Sequence, residues 1–281
     1  MSLLKNQAEG IIPIEYSKEL VQGVVKGSSI LTNSKMETMK ANTRKLSKIQ
    51  GVEAHMVEEA QEIPASNTKF PTLDLVGKKF AATQVVSHEM LEESLVDVLA
   101  EIQTEAVEQF YRGFDRYATQ NILQAINGTG QKVQVGATAG QNLYEDISDT
   151  LSLVEGHGYT PGVFLANHTY KNDIRKLKDN NGNNLYSPTA AGTPDEFFGL
   201  DIAYNFGIDR TNTELITGDF KFSHVGIPNE LRYTVMNQGT IDGVNLGQTD
   251  QVAIRLILTM AHVVSREDAF ASLTPEADVE G

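Results

Sequence analysis

The segment His88–Asn127, HEMLEESLVDVLAEIQTEAVEQFYRGFDRYATQNILQAIN, decides the architecture. Leu91, Leu95, Val98, Ile102, Ala106, Phe110, Phe114 and Tyr117 recur at steps of three or four residues. Ile122 and Ile126 continue the series after a small rotation. This is the spacing of one face of an α-helix. No proline interrupts it, and Gly113 is its one interior glycine. Ser87 stands where an N-cap is needed, and Glu89, Glu92 and Glu93 occupy the first turns, where the helix dipole favours acids. Asn127-Gly128 supplies a stop. The spacing predicts a rod of roughly 38 residues, near 57 Å long, against a usual helix of about 11 to 12 residues. Only one side is apolar, so the rod must cover a sheet or a neighbouring subunit.

Outward from the rod the pattern changes. Residues 51–86 carry two extended runs, Val52, Ala54, Met56 and then Phe70, Leu73, Leu75, with strand-like alternation at Leu73-Asp74-Leu75-Val76. Ile63-Pro64-Ala65-Ser66-Asn67 has turn composition, and Gly77 offers a second turn. A long hairpin is expected, with too few apolar residues to stand alone. Residues 1–50 form an arm. In it Ser17 precedes Leu20, Val21, Val24 and Val25 at helical spacing, ending near Gly27. Residues 143–275 mix both periods. Asn142 can cap a helix through Leu151 and Val154, Val163–Ala166 reads as a buried strand, and Thr169–Leu177 as helix. Asp179–Pro194 is a polar loop. Strand runs follow at Ile202–Tyr204, Leu215–Thr217, Leu231–Val235, Val252–Leu258 and His262–Val264. The fold class is α+β.

Composition narrows the function. Of the residues 40% are hydrophobic and 21% charged, a globular profile. No apolar run approaches the roughly 18 to 20 residues of a membrane span. The first residues, Met1 to Lys5, lack the basic and apolar blocks of a signal peptide. Cysteine is absent, which excludes disulfides and thiol catalysis. The net charge of -14 disfavours a protein that grips nucleic-acid phosphates. One stretch departs from this: Lys35, Lys40, Arg44, Lys45 and Lys48 are opposed only by Glu37. It is either a solvated face or a contact strip for an acidic neighbour.

Catalytic and metal patterns fail at specific positions. His88-Glu89-Met90-Leu91-Glu92 has Glu92 where a zinc-protease helix needs its second histidine. Asp179, Asn181 and Asn183 have calcium-loop spacing, but Asn184 replaces the glycine and Ala190 the final glutamate. Gly128-Thr129-Gly130 follows a helix rather than preceding one, and Gly156-His157-Gly158 lacks the third glycine of a dinucleotide loop. Adjacent acids such as Glu58-Glu59 do not face each other as a catalytic dyad would. His157, His168, His224 and His262 show no ligand spacing. No catalytic, cofactor-binding or metal residue is therefore assigned.

Four segments carry a family resemblance. The first runs from Glu58-Glu59 and Ile63-Pro64 through Phe70–Leu75 and Lys78–Ala82 into Val86–Ser94. The second joins Leu165-Ala166-Asn167, Ile174–Tyr186 and Phe198-Gly199-Leu200-Asp201-Ile202. The third is Thr217-Gly218-Asp219-Phe220, and the fourth Arg255 with Ala269–Leu273. In this order they resemble the major capsid proteins of tailed bacteriophages, with the Hong Kong 97 type fold; Ile12-Pro13-Ile14-Glu15 fits the start of that family. The resemblance implies an N-terminal arm (1–50), an extended loop (51–86) and a peripheral domain with a spine helix (87–142). An axial domain (143–248) and return strands with a tail (249–281) complete it. It implies self-assembly through pentamers and hexamers into an icosahedral head around double-stranded DNA, in the host cytoplasm. A separate scaffolding protein, a portal and a decoration protein are the expected partners, with no membrane and no cofactor. Lys40, Arg44, Lys45, Glu58, Glu59, Lys78 and Lys79 are the candidate intersubunit contacts. Some relatives cross-link through a loop lysine, and Lys78 and Lys79 lie in that segment. The alternatives are an encapsulin-like compartment shell, which would share the fold, and an acidic carboxylate hydrolase.

Overall fold

The computed structural model describes residues 14–47, 56–57, 61, 71–93, 98–138, 142–178, 196–228 and 231–276. In chain order the elements are α1 (Ile14–Gly27), α2 (Ser29–Asn33), β1 (Lys35–Met36), β2 (Thr43–Ser47), β3 (Thr72–Ser87), α3 (His88–Glu93) and α4 (Val98–Thr129). Then come β4 (Lys132–Gln134), α5 (Leu143–Glu155), β5 (Val163–Ala166), α6 (Lys171–Arg175), β6 (Glu196–Phe197), β7 (Leu200–Tyr204) and β8 (Leu215–Gly218). The last are β9 (Ser223–Gly226), β10 (Arg232–Met236), β11 (Thr240–Ile241), β12 (Val244–Asn245), β13 (Gln251–Val264) and β14 (Phe270–Thr274).

The rod is present as α3 and the 32-residue α4, about 48 Å long; residues 94–97 between them lie outside the described residues. Ser87 caps the entry, its Oγ accepting from the Met90 N–H at 3.2 Å. The end comes at Thr129 rather than Asn127. There Gly130, with φ +74°, takes the left-handed position and donates its N–H to the Ile126 carbonyl. Ala106, Phe110, Phe114, Ala118, Ile122 and Ile126 are all buried. A four-residue step advances about 40° beyond a full turn, so this stripe wraps about 200° around the helix. One helix can therefore touch two layers, and α4 meets β3 and β13 as well as β14 and the 3-10 turn Glu267–Ala269.

The first sheet has the order β1-β9-β13-β3-β2, with β10 also on β13. The long β pattern expected over 252–258 and 262–264 is one continuous 14-residue strand, β13. It is antiparallel to β3 from Gln251↔Ser87 to Ala261↔Gly77. This corrects the reading of Gly77 as a turn: it lies inside β3, and a Cβ there would collide with the Asn42 side chain and the Thr259 methyl. The expected hairpin is likewise only partly free of the core, since 77–87 pairs with β13 and Leu75 is fully buried beside Met39 and Ala261. The outer part of β3 pairs instead with β2, from Thr43↔Val76 to Ser47↔Thr72.

The second sheet, β4-β14-β8-β5-β7-β6, carries α5 and α6 over a core of Ile147, Phe164, Tyr170 and Ile174. Asn142 caps α5 in a reciprocal box with Glu145. The helix expected at 169–177 is a 3-10 turn, His168–Tyr170, followed by the short α6. The segment 179–195, with its polar loop, lies outside the described residues.

The arm differs from expectation. Helix α1 starts at Ile14, so Ser17 lies within it rather than before its first turn. Val24, Ile30 and Leu31 are buried in the subunit's own main core, beside Val107 and Tyr111 of α4. The stretch Leu20–Leu31 of the arm is thus part of the subunit's own core.

Candidate assembly surface

The arm is clamped to the spine helix by a carboxylate that the sequence reading overlooked. Asp115 of α4 is 2% exposed. It accepts from Ser28 Oγ at 2.5 Å, the Ser29 N–H and Oγ at 3.3 Å each, and the Ile30 N–H at 3.4 Å. Burial raises its pKa to about 6, against the downward pull of these four donors. Ser28 also caps α2, its Oγ accepting from the Leu31 N–H. A lone acid one position from Phe114 on an otherwise apolar face, together with the Ser28-Ser29 pair after Gly27, was the available signal.

A second junction joins the spine helix to the second sheet. The turn at Gly207 presses against the backbone of Asp115 and Arg116, where a Cβ would clash. Asn205, fully buried, donates to Thr119 Oγ1 at 3.1 Å. Beside them the Arg112 guanidinium lies 4.3 Å from the Phe206 ring centre, and the His168 ring lies 4.2 Å from it. Burial, then the Arg112 and Lys171 charges, hold His168 below the usual histidine range.

The basic stretch surrounds its single acid. Glu37 receives Lys35 Nζ at 3.2 Å, Arg44 Nη2 at 3.1 Å and His224 Nδ1 at 3.1 Å. Arg44 also donates to the Thr38 carbonyl. Burial raises the Glu37 pKa, but the hydrogen bonds from Lys35 and His224 and the charges of Lys35 and Arg44 outweigh it, leaving the carboxyl below its ordinary value. Lys40 and Lys45 are exposed, Lys40 in the bend before β2 and Lys45 on that strand. Lys78 and Lys79 are exposed too, but they sit in β3 opposite Met260 and Thr259, not at a loop tip. Glu58 and Glu59 lie outside the described residues. The structure thus brings Arg44 and Lys45 together on the loop root and places Lys78 and Lys79 further along its partner strand.

A Ser–His–Asn chain invites a catalytic reading. Ser223 Oγ lies 3.0 Å from His262 Nε2, and Asn121 Nδ2 lies 3.3 Å from Nδ1. But Ser223 is fully buried, His262 is 3% exposed, and the Ser223 hydroxyl is also within 2.7 Å of Ser34 Oγ. Burial, aided by His224, lowers the His262 pKa to about 3, so the ring is a neutral link between β13, β9 and α4. Among the described residues no group of three or more acid or histidine side chains could hold a metal, and no helix is long and apolar enough to cross a membrane.

Comparison with known proteins fits this layout. The phage capsid family profile matches residues 9–274. The chain belongs to the phage capsid family. Its role is that of a major capsid protein, the shell subunit of a tailed phage, and its fold is the Hong Kong 97 type. Among phage capsid proteins it is 25% identical to the major capsid protein of Staphylococcus phage 80alpha, over 97% of this chain and 87% of that one. A structure from Microbacterium phage Oxtober96 superposes with TM-score 0.75 at 21% identity, covering 89% of this chain and 91% of that chain. One from Mycobacterium phage Bobi gives 0.75 at 20% identity, covering 90% and 91%. The capsid of an empty GTA particle computed with C5 symmetry gives 0.69 at 17% identity, covering 89% and 90%. The encapsulin-like alternative is not favoured beside this family match.

Proposed function

We propose that the chain closes an icosahedral head from pentamers and hexamers and encloses double-stranded DNA without reading its sequence. The family match along 9–274 carries the reading. The paired root β2–β3 supports it, because it extends the first sheet past the end of the β3–β13 pairing and carries the exposed Lys45. Rotational rings use heterologous contacts, in which one surface meets a different one on the next copy. Lys40, Arg44, Lys45, Glu58, Glu59, Lys78 and Lys79 are the proposed contacts of this kind. The arm (1–50), loop (51–86), peripheral (87–142), axial (143–248) and return (249–281) regions are the proposed working parts. The net charge of -14 suits a container that should not adsorb its genome.

The proposal includes a separate scaffolding protein, a portal and a decoration protein as partners, assembly in the host cytoplasm, and no catalytic role. Size-exclusion chromatography with light scattering, with and without scaffold, tests the central point, backed by negative-stain images. Shells or capsomers are expected. A strictly monomeric species at high concentration under all these conditions would refute it.

A further inference from the structure

A groove of about 430 Å³ opens where the β2–β3 root meets β9 and the turn after β13. Lys35, Arg44, Lys221 and Arg266 line it with four cations, against the one carboxylate of Glu37. Glu37 is already bound by Lys35, Arg44 and His224, and one charge cannot neutralise four. With His224 neutral the lining carries a formal charge of 4 − 1 = +3, in a chain of net charge -14. Leu46, Leu73 and Phe222 add an apolar surface to the lining. Lys221 and Arg266 are far from the basic stretch in sequence and join it through the pairing of β9 with β1 and with β13.

We propose that this groove is a socket for an acidic segment of a second copy of the chain, seated at the root of the extended loop. The inference rests on the shell reading above and specifies one contact within it. Three features favour a protein carboxylate over a nucleic-acid phosphate. The Leu46, Leu73 and Phe222 surface can bury the side chains that flank a carboxylate on a peptide; a sugar–phosphate backbone offers none. Glu37 stays ionised inside the groove and repels a row of phosphates more than a single carboxylate. Finally, the chain holds 37 acids against 23 lysines and arginines. Every neighbouring copy therefore presents negative surface, and a local patch of opposite sign fixes register between like-charged subunits.

The test uses the full chain. Shells are assembled from mixed isotopically light and heavy subunits, and a carbodiimide couples amines to touching carboxylates. Mass spectrometry should find Lys35 or Lys221 joined to an Asp or Glu of the other isotope. A paired variant, Lys221→Gln with Arg266→Gln, leaves the observed Glu37 ion pairs in place. It should keep the wild-type circular dichroism and melting. DNA-free shells should nevertheless form less readily at low salt, each lost contact weakening subunit affinity by up to about fivefold. Well-formed wild-type shells with no heavy–light coupling at these lysines would overturn the socket. So would a variant that forms DNA-free shells with wild-type yield and salt dependence, including one that loses only DNA-filled heads, which would assign the groove to phosphate. If the variant melts early, the coupling on wild-type shells decides alone. Wild-type chains that never assemble would overturn the shell reading, and the socket with it.

Discussion

Replacing Asp115 with Asn should change how the subunit responds to acid. The carboxylate is 2% exposed, and every neighbour bonded to it is a donor from the arm. Its folded pKa is about 6 against 3.8 for the free group. A raised folded pKa means that the native state binds the proton more tightly than the unfolded chain. The linked stability is therefore fully present below 3.8 and is lost as pH rises through 6. A difference near two units corresponds to about 3 kcal/mol in full, of which about 2 should be seen between roughly pH 7 and pH 4. Asn keeps the shape but cannot titrate, and its amide nitrogen confronts the Ser29 donors, at a cost of about 1–3 kcal/mol at every pH. The assay is urea unfolding of unassembled subunits, wild type and Asp115→Asn, followed by circular dichroism from neutral to acid pH. The wild-type advantage should grow by about 2 kcal/mol on acidification. An advantage that is constant with pH, or that shrinks, would show that Asp115 does not titrate as a buried acid.

Further tests reach other parts of the fold. His262 has the opposite sign: its folded pKa of about 3 lies below the ordinary 6.5, so its contribution is present above 6.5 and lost as pH falls toward 3. His262→Gln should therefore flatten acid destabilisation below pH 6.5, and an unchanged profile would refute the buried neutral ring. Phe114→Ala, at a fully buried ring packed near Phe80, Tyr117 and His262, should cost about 3–5 kcal/mol, while Lys45→Gln should stay within about 0.5; equal costs in thermal melting would place the buried face elsewhere. Asn142→Ala removes the capping box of α5 and should cost about 1 kcal/mol in the same assay, with no loss meaning that the cap is dispensable. Shortening residues 58–70 should leave melting near wild type while shell yield collapses; a large fall in melting temperature would mean that this segment belongs to the subunit core.

Local spacing is what a sequence states directly. The 3.6-residue stripe from Ile102 to Ile126 identified the spine helix, the Asn142 and Ser87 caps were readable from single residues, and the order of weak motifs named the family. These signals survive because helix period and cap chemistry depend only on neighbours within a turn or so. Absent cysteine and broken metal spacings limited the chemistry in the same way. The tertiary structure alone decided the rest. The sequence gives no sign that Gly77 would lie within a strand, because its partner Ala261 is 184 residues away (261 − 77). Burial of Asp115 depends on an arm 87 residues upstream that folds back to supply donors. The basic stretch looked like a strip, yet two of the four cations in its groove, Lys221 and Arg266, are brought in by sheet order. Burial and charge proximity are properties of long-range pairing, and the residues that create them carry no shared local period.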